Sequence, residues 1–151
     1  MAYDFINAQM RSILNGLGFK SRNSNEPDFP ISSDDSPLDD QQTIQAVVAF
    51  QKYFNLTQDG IVGSETKAVA ERALDVIHNE LDVIIKPEPP LRPQAPLYGA
   101  QTAQAVGAFR RQYGFEPDGN ADTDRIADLP VRRKLNDLSS QKTGEVATAL
   151  V

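Results

Sequence analysis

The sequence predicts an all-α fold: two fused three-helix repeats that share a long central helix and carry long polar or proline-rich loops. Two observations lead to this prediction. One is an internal repeat, and the other is the helical spacing of apolar residues in and around each copy of that repeat.

The internal repeat aligns residues 42–60 with residues 101–119 without a gap. Nine of the 19 aligned positions are identical, and they include a central phenylalanine and a closing Asp-Gly pair. Most other apolar positions change conservatively, as expected if each copy buries the same face. Both copies therefore predict the same local structure.

Each copy places one stripe of side chains at helical spacing. The stripe comprises Thr43, Val47, Phe50 and Phe54 in the first copy, and Thr102, Val106, Phe109 and Tyr113 in the second. This spacing predicts a helix in both copies. Asn55 and Gly114 then occupy equivalent positions, and both residue types tolerate the left-handed conformation that ends helices. A tight Asp-Gly turn follows.

The segments that flank the first copy predict further helices. Apolar residues between positions 5 and 17 are spaced as in an amphipathic helix, and Ser64 is expected to cap a helix after the Asp-Gly turn. The aspartates at 39–40 are expected to cap the repeat helix itself. Residues 77–81 resemble residues 13–17, so one long helix over about 66–84 is predicted to close the first repeat and open the second.

Two loops and a final helix complete the predicted architecture. Residues 20–40 are rich in Ser, Asn, Asp and Pro and predict a long solvated loop, whereas residues 86–96 predict an extended proline-rich segment. Pro130 is expected to open a final helix that runs through Leu138.

Composition excludes several classes of protein. The chain has no cysteine, so disulfides and thiolate metal sites are excluded, and its formal net charge of −6 disfavours binding to nucleic acid and to anionic lipid. No signal peptide and no membrane segment is recognised, so no membrane insertion is expected. We expect a protein that is cytoplasmic when synthesised.

The first copy resembles the peptidoglycan-binding domain of type one. The matching motif consists of Ala46, Val47, Phe50, Gln51, Asp59, Gly60, Gly63 and Thr66. The resemblance implies a three-helix fold that anchors proteins to peptidoglycan. It predicts a clear repeat at 1–78 and a diverged tandem repeat at 77–138. The remaining residues, 139–151, are expected to form a flexible C-terminal tail. The second repeat keeps Phe109, Asp118 and Gly119 but replaces Gln51 with Arg110.

The Asp-Gly turn itself is interpreted as structural, so ligand contacts are sought on exposed polar and aromatic residues beside it. The candidates are Gln51, Tyr53 and Asn55 in the first repeat, and Arg111 and Gln112 in the second. Such side chains suit the hydroxyls, amides and carboxylates of a sugar-and-peptide polymer.

Catalysis, cofactors and metals are not expected. His78 is the only histidine, so neither a catalytic triad nor a histidine metal cluster is predicted, and a structural or surface role is favoured. The alternation of Asp118, Asn120, Asp122 and Asp124 resembles the start of a calcium loop. It lacks the required later glycine and glutamate, so no metal site is predicted.

Two functions remain open. The favoured one is a non-catalytic peptidoglycan-binding protein that anchors or docks an assembly to the cell wall, acting there or within a virion or tail-like particle. The alternative is a structural scaffold of a phage, phage-tail-like or other intracellular assembly. The expected partner is peptidoglycan, with a protein assembly or a wall hydrolase on another chain as further partners; a scaffold would contact proteins of its assembly.

Overall fold

The protein is all-helical, as predicted. A computed structural model describes residues 3–20, 28–115 and 123–150, without the side chains of 123 and 142–150. Within these ranges there is no strand, and a short 3-10 turn at Thr123–Arg125 accompanies five α-helices: α1 (Asn7–Gly16), α2 (Gln41–Tyr53), α3 (Ser64–Ile84), α4 (Ala100–Gln112) and α5 (Leu129–Leu150). No helix of the described part is long and apolar enough to cross a membrane.

The long central helix expected from the sequence is α3, which contacts α4 and α5. Its inward residues belong to one hydrophobic core that includes Phe50 of α2 and Phe109 of α4, both fully buried. Asn55 and Gly114 follow α2 and α4 with φ angles of 58° and 79°, which confirms the predicted left-handed helix ends.

The two halves of the chain are in direct contact. The Ala127 amide donates to the Gly16 carbonyl at 2.7 Å, and Arg125 donates to the Phe29 carbonyl. The buried ring of Tyr98 lies so close to Gly16 that a Cβ atom there would come within 2.5 Å of it. The end of α1 therefore packs directly against residues of the second half of the chain.

A buried arginine organises the described part of the first loop. Arg11 is fully buried, and its guanidinium donates to the carbonyls of Asp34, Ser36 and Pro37 at 2.6–2.9 Å. It also reaches the Asp40 carboxylate at 3.1 Å. Asp40 accepts a hydrogen bond from the Thr43 amide, which confirms the predicted cap of α2. Residues 34–40 are thus fixed by α1 rather than merely solvated.

The proline-rich loop is held against α3 in a similar way. The Asp82 carboxylate accepts from the amides of Leu91 and Arg92 at 2.7 and 3.0 Å. His78 is buried, and its Nε2 lies 3.1 Å from the Leu97 carbonyl and 2.9 Å from the Thr102 hydroxyl. Burial lowers the pKa of His78, because it disfavours the charged imidazolium. His78 therefore joins the loop to the helices as a structural residue, and its burial favours the neutral imidazole.

Two predicted helix ends are wrong. The N-cap of α3 is Gly63 without a side-chain hydrogen bond, because the helix begins one residue earlier than expected and places Ser64 inside it. The last helix does not stop at Leu138 but continues to Leu150. Nothing between Pro130 and Gly144 breaks a helix, so the chain has no local reason to end it where the apolar pattern fades.

Candidate ligand-binding surfaces

The Asp-Gly turn is built around the side chain of Gln51. Its Nε2 donates to Asp59 Oδ1 at 2.9 Å, to the Ile61 carbonyl at 3.0 Å and to Thr66 Oγ1 at 3.2 Å, while its Oε1 accepts from the Gly60 amide at 3.0 Å. Only 1% of Gln51 is exposed. The expectation that Gln51 lies on an exposed face is therefore wrong, because the turn uses both ends of its amide.

The turn is further fixed by Asp59. Its Oδ1 accepts from the Ile61 amide at 3.0 Å as well as from Gln51. These hydrogen bonds, first that from Ile61 and then that from Gln51, lower the pKa of Asp59 by stabilising its carboxylate. Gly60 adopts a φ of 73°, which suits glycine. The motif residues thus form a rigid corner between α2 and α3.

A polar pocket of about 210 Å³ opens beside this corner. Its exposed lining offers a hydroxyl at Thr57, carboxylates at Asp59 and Glu65, and an apolar side chain at Ile61, which is 66% exposed. The complete lining of the polar pocket is Gln51, Leu56, Thr57, Asp59, Ile61, Gly63, Ser64, Glu65 and Thr66. It can accept and donate hydrogen bonds around one apolar contact.

A larger groove of about 550 Å³ runs along α3 and α5, and we call it the arginine groove. Apolar side chains form most of its surface, and three arginines border it. It is lined by Tyr53, Phe54, Val69, Arg72, Ala73, Val76, Ile77, Glu80, Arg132, Arg133 and Asn136. Val76 is 54% exposed, so apolar surface in the groove is open to a ligand.

Tyr53 is the predicted contact residue that lies in this groove. Its ring is 46% exposed, and the Arg132 guanidinium sits 4.8 Å from the ring centroid. Arg132 also donates to the carbonyls of Ala127 and Leu17 at 3.0 and 3.3 Å. Arg132 is therefore held in place by the fold and orients Tyr53.

Glu80 is a feature of the groove that sequence reasoning missed. It is 5% exposed and has no hydrogen bond or ion pair within the described part of the chain. Burial raises the pKa of Glu80 to about 7. A signal was present in the sequence, because Glu80 follows Ile77 by three residues and Val76 by four on an otherwise apolar stripe of α3.

The other predicted contact residues are not brought together. Asn55 is exposed just after α2, and Arg111 and Gln112 are exposed at the end of α4, but none of them lines the polar pocket or the arginine groove. Arg110, which aligns with Gln51 in the repeat, is buried and donates to the Ile126 carbonyl at 3.1 Å.

The calcium-like pattern and the second Asp-Gly pair cannot be assessed structurally. Asp118, Gly119, Asn120 and Asp122 lie outside the described residues. Among the residues that are described, no three acidic or histidine side chains are grouped so that they could hold a metal ion.

Comparison with known proteins identifies one family. Residues 8–69 match the family described as "Putative peptidoglycan binding domain". No curated protein and no solved structure matches the chain. The matched range contains most of α1, all of α2, the corner around Gln51 and the start of α3. Residues 8–69 are therefore similar to one helical domain of the peptidoglycan-binding type.

Proposed function

We propose that this chain is a non-catalytic peptidoglycan-binding protein that anchors or docks an assembly to the cell wall. The observation that carries this proposal is the family match at residues 8–69, which encloses the polar pocket and the corner that shapes it. The family match supports the binding role, and the geometry of the corner supports the choice of the polar pocket as the site.

The polar pocket suits the glycan part of such a ligand. Thr57, Ser64 and the two carboxylates offer hydrogen-bonding groups for hydroxyls and amides, and Ile61 offers an apolar contact for a sugar face. Gln51 acts beneath the pocket as a positioning residue, because its amide holds Asp59 and Ile61 in place. This revises the role that the sequence suggested for Gln51.

We further propose that residues 77–138 are a diverged second copy. Three parallels support this proposal: α2 and α4 are each 13 residues long, Phe50 and Phe109 are equally buried, and the side chains of Gln51 and Arg110 each donate to a carbonyl after their helix. Arg111 and Gln112 remain the candidate contacts of this copy because both are exposed. Residues 139–150 would then extend α5 beyond this copy.

Retention by insoluble peptidoglycan sacculi tests the proposal. The wild type is compared with a triple variant, Thr57→Ala, Ile61→Ala and Glu65→Ala, which alters the pocket but none of the side chains bonded to Gln51. Gln58→Ala is the control, since Gln58 is exposed in the same loop but does not line the pocket. Retention of wild type and control with loss of the triple variant is the expected result. Failure of sacculi to retain the wild type would refute wall binding.

The scaffold alternative is favoured by a different observation. Ile6 and Val76 are exposed apolar side chains, 52% and 54% accessible, and a protein partner that contacted them would bury apolar surface. A scaffold of a phage, tail-like or other assembly would bind its protein partners without binding sacculi. The sacculus experiment therefore separates the two functions.

A further inference from the structure

Charge constrains where a wall polymer can bind to this chain. The formal net charge is −6, and the peptide parts of peptidoglycan carry free carboxylates, so the average surface repels them. The polar pocket contains two of the carboxylates that contribute to this charge, at Asp59 and Glu65. An anionic peptide therefore needs a part of the surface with the opposite charge.

We propose that the arginine groove binds the stem peptide of peptidoglycan, with the peptide carboxylates on Arg72 and Arg133 and its apolar side chains on the floor formed by α3. This inference rests on the proposed function. It adds the part of the polymer that is recognised, the stem peptide, and a second binding surface, the arginine groove. It also brings α5, outside the family match, into the binding site.

The arginines differ in their availability. Arg132 already contacts the Tyr53 ring and donates hydrogen bonds to two backbone carbonyls. Arg72 and Arg133 are exposed on opposite sides, α3 and α5, and neither is hydrogen-bonded or ion-paired within the described residues. Two free guanidiniums that border an apolar floor match a ligand with carboxylates and small apolar side chains, such as alanine-containing peptides.

The positions of the two sites fit one polymer. Thr66 lines the polar pocket, and Val69, Ala73, Val76 and Glu80 follow it at helical spacing along the arginine groove. At about 1.5 Å per residue, this stripe of α3 is about 20 Å long. A glycan in the pocket and its attached peptide in the groove would therefore lie along the same helix.

Glu80 makes this binding dependent on pH. The charged groups around it are Arg72 on α3, Arg132 and Arg133 on α5, and Asp75 with Arg92 in the adjoining pocket. Below its pKa of about 7, Glu80 is neutral and leaves the groove more positive. Stem-peptide binding is expected to be tighter at pH 6 than at pH 8, and Glu80→Gln should remove most of that difference.

The test uses a synthetic stem tripeptide, L-alanyl-γ-D-glutamyl-L-lysine, and the same peptide with both carboxylates amidated. Binding to the full chain is followed by NMR titration, and sacculus retention is measured in parallel. The groove variant is Arg72→Gln with Arg133→Gln. The control is Lys134→Gln, which removes one positive charge from an exposed neighbour of Arg133 that does not line the groove.

The expected result is that the groove variant, but not Lys134→Gln, binds the free tripeptide roughly tenfold more weakly, since two charge-assisted contacts are lost. Amidation should weaken wild-type binding similarly, and added salt should weaken it further. If sacculi retain wild type and groove variant equally, and amidation has no effect, the groove assignment is wrong while wall binding stands. If neither sacculi nor tripeptide binds the wild type, both proposals fail.

Discussion

A single amide organises the best-defined corner of this protein. Gln51 needs a donor end for Asp59, Ile61 and Thr66 and an acceptor end for Gly60, and glutamine supplies both without a charge. A carboxylate in its place would repel Asp59, and an alkyl chain would leave the buried Gly60 amide without a partner. The identity of residue 51 therefore follows from the shape of the turn.

Replacing Gln51 by alanine should destabilise the fold by about 2–4 kcal/mol, because the hydrogen bonds that join its amide to the turn are lost and the buried Gly60 amide is left unpaired. Thermal and urea unfolding monitored by circular dichroism measure this loss. Lys52→Ala, at the exposed neighbouring position, should change stability little. Equal losses for both variants would contradict the role assigned to Gln51.

Gly16 is required because of its contact with Tyr98. Gly16→Ala would place a Cβ 2.5 Å from a buried ring whose hydroxyl is anchored to the Arg125 carbonyl, and we expect a loss of about 1–3 kcal/mol. Gly63→Ala is the matched control, since nothing lies within 4 Å of the added Cβ. A Gly16 variant as stable as the Gly63 variant would show that Tyr98 can move aside.

Helix α3 contains a buried carboxyl group, that of Glu80, which the sequence analysis did not predict. Glu80 has a pKa of about 7 in the folded protein against an ordinary value of 4.5, so the folded protein holds this proton more tightly than the unfolded chain does. The contribution of Glu80 to the free energy of unfolding is therefore greatest below pH 4.5 and is lost as the pH rises through about 7.

Glu80→Gln should abolish this loss. The variant should match the wild type near pH 4 and exceed its unfolding free energy at pH 8 by up to about 3 kcal/mol. Urea unfolding at a series of pH values measures the difference. A constant difference across the series would mean that Glu80 does not titrate in the folded state.

The sequence predicted the elements better than the polar interactions between them. The apolar spacing and the repeat indicated α2, α4 and the length of α3, because these depend on local patterns. The burial of Gln51, Arg11 and Glu80 depends on partners that the fold brings from distant positions, such as the 34–40 carbonyls around Arg11. The arginine groove was not predicted because Arg72 and Arg133 meet only when α3 and α5 pack.

At the scale of the whole molecule, one core spans both halves. Apolar residues from all five helices belong to a single cluster, and the Gly16–Ala127 hydrogen bond joins the halves. We expect one cooperative unfolding transition, with far-ultraviolet circular dichroism and the near-ultraviolet tyrosine signal changing together. Two separated transitions would instead show that the halves fold independently.

The continuity of α3 also restricts how this protein can change its length. Each residue added inside an α-helix turns everything beyond it by about 100° and advances it by about 1.5 Å. One inserted residue near the middle of α3 would point Glu80 and Ile84 away from the faces they now serve, whereas an insertion in an exposed loop would alter neither. Insertions and deletions are therefore expected in the loops. The number of residues in α3 is expected to stay constant, because it fixes the orientation of the second half of the chain relative to the first.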